Sequence, residues 1–148
     1  QCDRVEDHVM HEEAYHLPAE TAAAVRRTRE RGGRVIAVGT TSVRTLETCA
    51  DPATRTVIPG EGQTRIFLYP PRRPVVCDGL LTNFHLPRST LLMLVSCFSR
   101  VEHVLAAYRL AVQERFRFYS YGDCMLLLPD EAAGRLTVDC ARARSSSS

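Results

Sequence analysis

The chain contains no lysine: all 19 of its basic residues are arginine. That absence excludes Schiff-base chemistry on a lysine and the lysine of a phosphate-binding P-loop. A GC-rich coding sequence would produce the same bias, which is the plainer explanation. The six cysteines (Cys2, Cys49, Cys77, Cys97, Cys124 and Cys140) form no C-x-x-C pair, which argues against a zinc knuckle or a thioredoxin-type site. Scattered on apolar segments, they read as small buried hydrophobes of a reducing cytoplasm. No signal peptide is recognisable, and the longest apolar run, around "LLMLV", is far too short to span a bilayer. No membrane partner is therefore expected. A glycine-rich G-x-G turn is missing after the first strand, which counts against an ordinary nucleotide-binding module such as a methyltransferase. There is no G-x-S-x-G elbow either, so pairing Ser89 with His85 as a hydrolase has no support.

What is present is the composition of a soluble globular domain, with 45% hydrophobic and 24% charged residues. A length of 148 residues suits one domain with a real core and is too short for two. The net charge of +2 neither demands nor forbids a nucleic-acid partner. The abrupt "QCDRVEDH" opening and the polar "ARARSSSS" ending read as those of a piece of a longer chain.

The order of elements is that of an α/β protein. A helix is expected from Pro18 to the Gly32-Gly33 stop, with arginines suiting its negative end. A strand follows from Arg34 to Val38, its continuous apolar run suggesting burial on both faces. Its helix begins near Ser42 and stops before Asp51-Pro52. Beyond a Pro-, Gly- and Thr-rich loop, "RIFLY" and "VVCDGLL" read as strands. Ser89 or Thr90 is a plausible cap for the helix "RSTLLMLVSCF". Val101 to Arg115 is an amphipathic helix whose apolar face carries Val101, Val104, Leu105, Tyr108 and Val112. "CMLLLP" closes the series as a strand.

Four stretches could carry chemistry. The turn "GTTS" leads from a strand through Gly39 into a helix start. It either binds a phosphate, carboxylate or ribose there, or merely caps the helix with Thr41 or Ser42. Arg44, one turn on, either holds an anion or sits in solvent. "DHVMHEE" places His8 and His11 near acids, but the spacing is not that of a zinc-binding helix. Proton transfer suits these histidines better. "CDGLLTNFHLPRST" gathers Asp78, Thr82, Asn83, His85, Ser89 and Thr90 at the end of an apolar strand. Such density marks a structural network or a ligand pocket, with Asn83 and His85 on one face if the strand continues. "RFRFYSYGD" alternates arginine with aromatics, as either a half-buried strand or a base-stacking ribbon, and its end presents Asp123.

In their order, "EDHVMHEE", "GGRVIAVGTTSVRTLE", "DGLLTNFHLPRSTLLMLVS" and "RFRFYSYGDCMLL" closely resemble the S-adenosylmethionine:tRNA ribosyltransferase-isomerases of queuosine biosynthesis, the QueA family. The resemblance implies the C-terminal part of a larger α/β domain, residues 1–128, with the N-terminal part and an inserted β-barrel domain missing. Residues 129–148 are expected to be a disordered or non-family tail. The resemblance implies transfer of the ribosyl moiety of S-adenosylmethionine onto 7-aminomethyl-7-deazaguanine at the wobble position of tRNA with a GUN anticodon. Epoxyqueuosine forms, and adenine and methionine leave. No metal and no other cofactor is implied; S-adenosylmethionine is a co-substrate, and the missing N-terminal half of the enzyme is a partner. On this resemblance the proton-transfer candidates are His85, His8 and His11, with Asp78 and Asp123 as orienting or basic carboxylates. The S-adenosylmethionine pocket would draw on Thr40, Thr41, Ser42, Arg44, Asn83, Ser89, Thr90 and Tyr121. Pro71, Arg72 and Arg73 depart from the family pattern, as do Cys97, Cys124 and the Ser99-Arg100 pair. The alternative is a non-catalytic remnant that binds tRNA or S-adenosylmethionine.

Overall fold

The computed structural model describes residues 11–86, 89–130 and 135–141. Strand β1 (Glu13–Leu17) leads into helix α1 (Ala19–Glu30), and β2 (Ile36–Val38) feeds α2 (Thr40–Thr48). Short strands β3 (Ala50–Asp51), β4 (Thr56–Val57) and β5 (Gly60–Thr64) follow, then β6 (Gly79–Asn83). Helices α3 (Thr90–Val95) and α4 (Val101–Gln113) precede a closing pair, β7 (Cys124–Asp130) and β8 (Arg135–Ala141). The main sheet has the order β2-β6-β7-β8, while β1 pairs with β5 and β3 with β4. In the main sheet β2 and β6 run parallel and the other pairings are antiparallel. The architecture is α/β, as the element order predicts.

The helices form where local chemistry favours them. Pro18 precedes α1 as its N-cap, Glu20 lies in the first turn, and Arg27 and Arg29 lie in the last, each complementing the helix dipole. Gly32, at φ 68°, then reverses the chain, a backbone region that glycine enters without steric cost. Ser89 caps α3 by accepting the Leu92 N–H at 3.2 Å, as its position before the apolar run predicts.

One face of the main sheet carries Ala37, Leu80, Met125 and Leu127 into a core shared with Val43, Phe84, Val95 and Val104. Phe84 is fully buried, with Phe116 and Phe118 at ring-centroid distances of 5.6 and 5.3 Å. Burial of one such side chain contributes about 1.5–3 kcal/mol. A smaller cluster joins Leu17, Ala22, Val25, Cys49, Val57 and Val76 under α1.

Several expectations are corrected. The strand predicted from Arg34 shrinks to Ile36–Val38, and only Ala37 is buried. Among the described strands β2 pairs only with β6, so Ile36 and Val38 lie at a sheet edge, 37% and 66% exposed. "RIFLY" is not a strand; β5 forms just before it, because the extended backbone of Gly60–Thr64 pairs with β1 from Glu13↔Thr64 to Leu17↔Gly60. Strand β6 starts only at Gly79, since the N–H groups of Val75, Val76 and Cys77 donate instead to the Glu47 carboxylate. On α4 the buried residues are Val104, Tyr108 and Ala111, whereas Val101, Leu105 and Val112 are exposed. Part of the expected tail, Arg135–Ala141, forms β8 against β7; its alternating Leu136, Val138 and Cys140 carry the period-2 pattern of a strand.

Candidate functional site at the carboxyl end of the sheet

The register fixes which candidates meet. Because β2 and β6 are parallel, with Ile36 opposite Gly79 and Val38 opposite Leu81, their carboxyl ends lie side by side. Strand β7 is antiparallel to β6 and begins at that same end, Cys124 opposite Asn83. The turn "GTTS", the stretch "TNFH" and the loop ending in Asp123 therefore converge on one edge, where open α/β sheets hold their ligands.

Gly39 makes the turn, at φ 85°, and donates its N–H to Leu81 O at 2.8 Å. It is the N-cap of α2, and among the described residues no side chain caps that helix. Neither Thr41 nor Ser42 is therefore the cap: Ser42 Oγ donates backwards to Val38 O at 2.8 Å, and Thr41 is exposed. Thr40 opens the helix, whose first intrahelical donor is Val43 N–H. Thr41, Ser42 and Thr45 line an open cavity of about 370 Å³, together with His16, Pro18, Thr21, Val38 and other residues of β1, β2 and α2. Hydroxyls at a helix start beside an apolar wall suit a ligand with one polar and one apolar end. His16 was missed by the sequence reading, since only the pairing of β1 with β5 brings β1 beside α2.

Arg44 does not line this cavity. The residue is 5% exposed and its guanidinium is turned to Glu13 of β1, to which Nη1 is paired, so it is neither solvent-exposed nor among the groups lining the groove. Nε and Nη2 are buried without a hydrogen-bond partner among the described residues.

At the β6 terminus the strand ends at Asn83, so Asn83 and His85 do not continue a common strand face. Asn83 Nδ2 donates to Asp123 O at 3.3 Å. His85 folds back, with Nε2 2.9 Å from Thr82 Oγ1, and its backbone N–H donates to Tyr108 Oη at 2.9 Å. Burial lowers the His85 pKa from its ordinary 6.5, because the charged imidazolium loses hydration there. At neutral pH the ring is thus a neutral acceptor or donor.

Two candidate carboxylates are tied into the scaffold. Asp123 is 2% exposed and accepts from Arg117 N–H at 2.6 Å and Arg117 Nη2 at 3.2 Å. Asp78 stands at the opposite end of β6, about 16 Å from Asn83 at the usual strand rise. There it accepts from Arg29 Nη1 at 2.6 Å, Val35 N–H at 2.7 Å and Arg55 Nη2 at 3.1 Å. The structure therefore separates Asp78 from the other candidates. Ser89 and Thr90 start α3, and Ser89 borders a separate, mainly apolar cavity of about 190 Å³ with Pro70, Met93 and Val101. Tyr121 is exposed near the β7 start, and His11 is exposed ahead of β1. His8 lies outside the described residues. Among the described residues, no group of three or more His, Cys, Asp or Glu could hold a metal ion, and no helix is long and apolar enough to cross a membrane.

Fold and site define a partial α/β domain with a polar edge at the carboxyl ends of two parallel strands. A family model described as queuosine biosynthesis protein matches residues 1–127, and the chain belongs to that family. A curated relative from Trichlorobacter lovleyi, named S-adenosylmethionine:tRNA ribosyltransferase-isomerase, is 62% identical over 128 residues, 86% of this chain and 37% of the relative. The Thermotoga maritima protein of the same name is 54% identical over 129 residues, 86% of this chain and 38% of its own. A crystal structure of the S-adenosylmethionine tRNA ribosyltransferase from that organism superposes with a TM-score of 0.67 at 52% identity, covering 76% of this chain and 40% of that one. The chain thus spans well under half the length of these relatives.

Proposed function

We propose that the chain forms part of an S-adenosylmethionine:tRNA ribosyltransferase-isomerase. The reaction moves the ribosyl moiety of S-adenosylmethionine onto 7-aminomethyl-7-deazaguanine at the wobble position of tRNA with a GUN anticodon. Epoxyqueuosine results, and adenine and methionine are released. The supporting observation is the 62% identity to a relative of that name, sustained over 86% of the chain.

Chemistry assigns work to the residues at the sheet edge. The sulfonium acidifies the C5′ protons, so a base must stand beside C5′; adenine then leaves, the tRNA amine attacks C1′, and the epoxide closes as methionine departs. His85, neutral at physiological pH because burial lowers its pKa, is the candidate for the proton transfer. The Thr41 and Ser42 hydroxyls hold polar groups of S-adenosylmethionine in the α2 groove. No metal or redox cofactor takes part.

The test is made in the chain joined to the remaining part of a relative's sequence. His85→Gln is expected to lower kcat about a hundredfold or more, the scale of one acid–base group, and Thr41→Ala to weaken S-adenosylmethionine binding. Full turnover by His85→Gln at every pH removes His85 from the mechanism, and unchanged affinity in Thr41→Ala removes the groove.

A further inference from the structure

The loop between α4 and β7 sorts its aromatic residues into two sets. Phe116 and Phe118 turn inward onto Phe84. Tyr119 and Tyr121 turn outward, 47% and 69% exposed, with ring centroids 6.3 Å apart and ring planes at 82°. Of the two, Tyr119 is fixed through its backbone, and Tyr121 meets it edge to face. Tyr119 adopts φ 60°, a left-handed conformation that bulky residues rarely take, and its N–H donates to Phe84 O at 2.9 Å. Asp123 closes the loop by binding the Arg117 N–H and guanidinium. Asn83 then ties Asp123 O to the end of β6, one residue before Phe84 and two before His85. The carboxylate of Asp123 is the only acid in "RFRFYSYGD" and is engaged by Arg117, while Arg115 is exposed on the same loop.

We propose that Tyr121, backed by Tyr119, is a stacking platform for a nucleobase at the carboxyl end of the sheet. The proposal deepens the functional reading above and rests on it for the class of ligand. Exposed aromatic rings on a loop that also carries arginines bind the π-face of an unpaired base with little regard to its identity. A planar purine-like face comes from two sources in that reaction, the adenine of S-adenosylmethionine and an unpaired base of the RNA loop.

The chain has no tryptophan, so Tyr121→Trp places a new fluorophore on the platform. The variant is joined to the remaining part of a relative's sequence, with the Tyr121 protein as blank. It is titrated separately with S-adenosylmethionine, with a short RNA hairpin bearing unpaired loop bases, and with a fully paired RNA duplex. Saturable quenching beyond the blank by the hairpin and not the duplex assigns the RNA loop; quenching by S-adenosylmethionine assigns adenine. For the ligand that quenches, Tyr121→Ala is expected to weaken binding about 5- to 150-fold, the range of one base–aromatic stack, while Tyr121→Phe retains it. No quenching by any of the three in folded protein, or equal affinity in Tyr121→Ala, overturns the platform. Because the readout is binding, failure of adenine release would overturn the proposed reaction and leave this result standing.

Discussion

Glu47 offers the sharpest test of how the scaffold is held. It lies in α2, is 7% exposed, and accepts from Val75 N–H at 2.7 Å and from Val76 and Cys77 N–H at 2.9 Å each. Three amides that a strand ladder would otherwise satisfy depend on this one carboxylate. Hydrogen bonds to a charged group contribute about 1.5–3 kcal/mol each, and buried amides left without a partner cost a similar amount. The bonds to Val76 and Cys77 are buried, whereas water reaches the half-buried Val75 side. Counting the two buried bonds fully, Glu47→Ala is expected to destabilise the chain by about 3–6 kcal/mol, a large share of the roughly 5–15 kcal/mol typical of a domain. Glu47→Gln, which keeps one acceptor oxygen for Val76 and Cys77, is expected to cost about 2 kcal/mol through the Val75 bond. Urea unfolding followed by circular dichroism measures both. A loss below about 1 kcal/mol for Glu47→Ala, or equal losses in the two variants, would refute the reasoning.

Two further outcomes follow from the geometry. Since burial lowers the His85 pKa below its ordinary 6.5, the unfolded chain binds the proton more readily than the folded one. Stability is therefore full above pH 6.5 and falls as pH drops from there toward the folded value; His85→Gln flattens this part of the profile, and an identical pH slope in wild type and variant contradicts the assignment. With Ile36 and Val38 exposed on a strand whose second edge is unpaired among the described strands, the isolated chain is expected to self-associate at high concentration. Val38→Lys should lower the mass seen by light scattering, and an unchanged mass would acquit this edge.

Periodicity and capping made much of the fold legible. The Pro18 start, the Gly32 stop and the Ser89 cap each act through neighbours within four residues, so the sequence carries them openly. "GTTS", "TNFH" and "SYGD" were recognisable as polar stretches next to apolar runs, but their convergence depends on β2 pairing parallel to β6 and β6 antiparallel to β7, which no local pattern encodes. Asp78 illustrates the limit: its stretch held both Asp78 and His85, yet five strand residues put them at opposite ends of the sheet. Arg44 and Glu47 were hidden for a related reason. Buried charges on a short helix look like solvent-facing ones until Glu13 and the Val75–Cys77 amides are folded onto them. The alternation in "RFRFYSYGD" was real, but the chain turns at Arg115 and Tyr119 (φ 57° and 60°) and forms a loop instead of a strand.

The most direct test is adenine release from S-adenosylmethionine in the presence of tRNA carrying 7-aminomethyl-7-deazaguanine. The chain is assayed alone and joined to the remaining part of a relative's sequence. Release of adenine by the joined protein, dependent on that tRNA and lost in His85→Gln, is the predicted result. A folded joined protein that releases no adenine would contradict the account and leave a chain that binds without reacting.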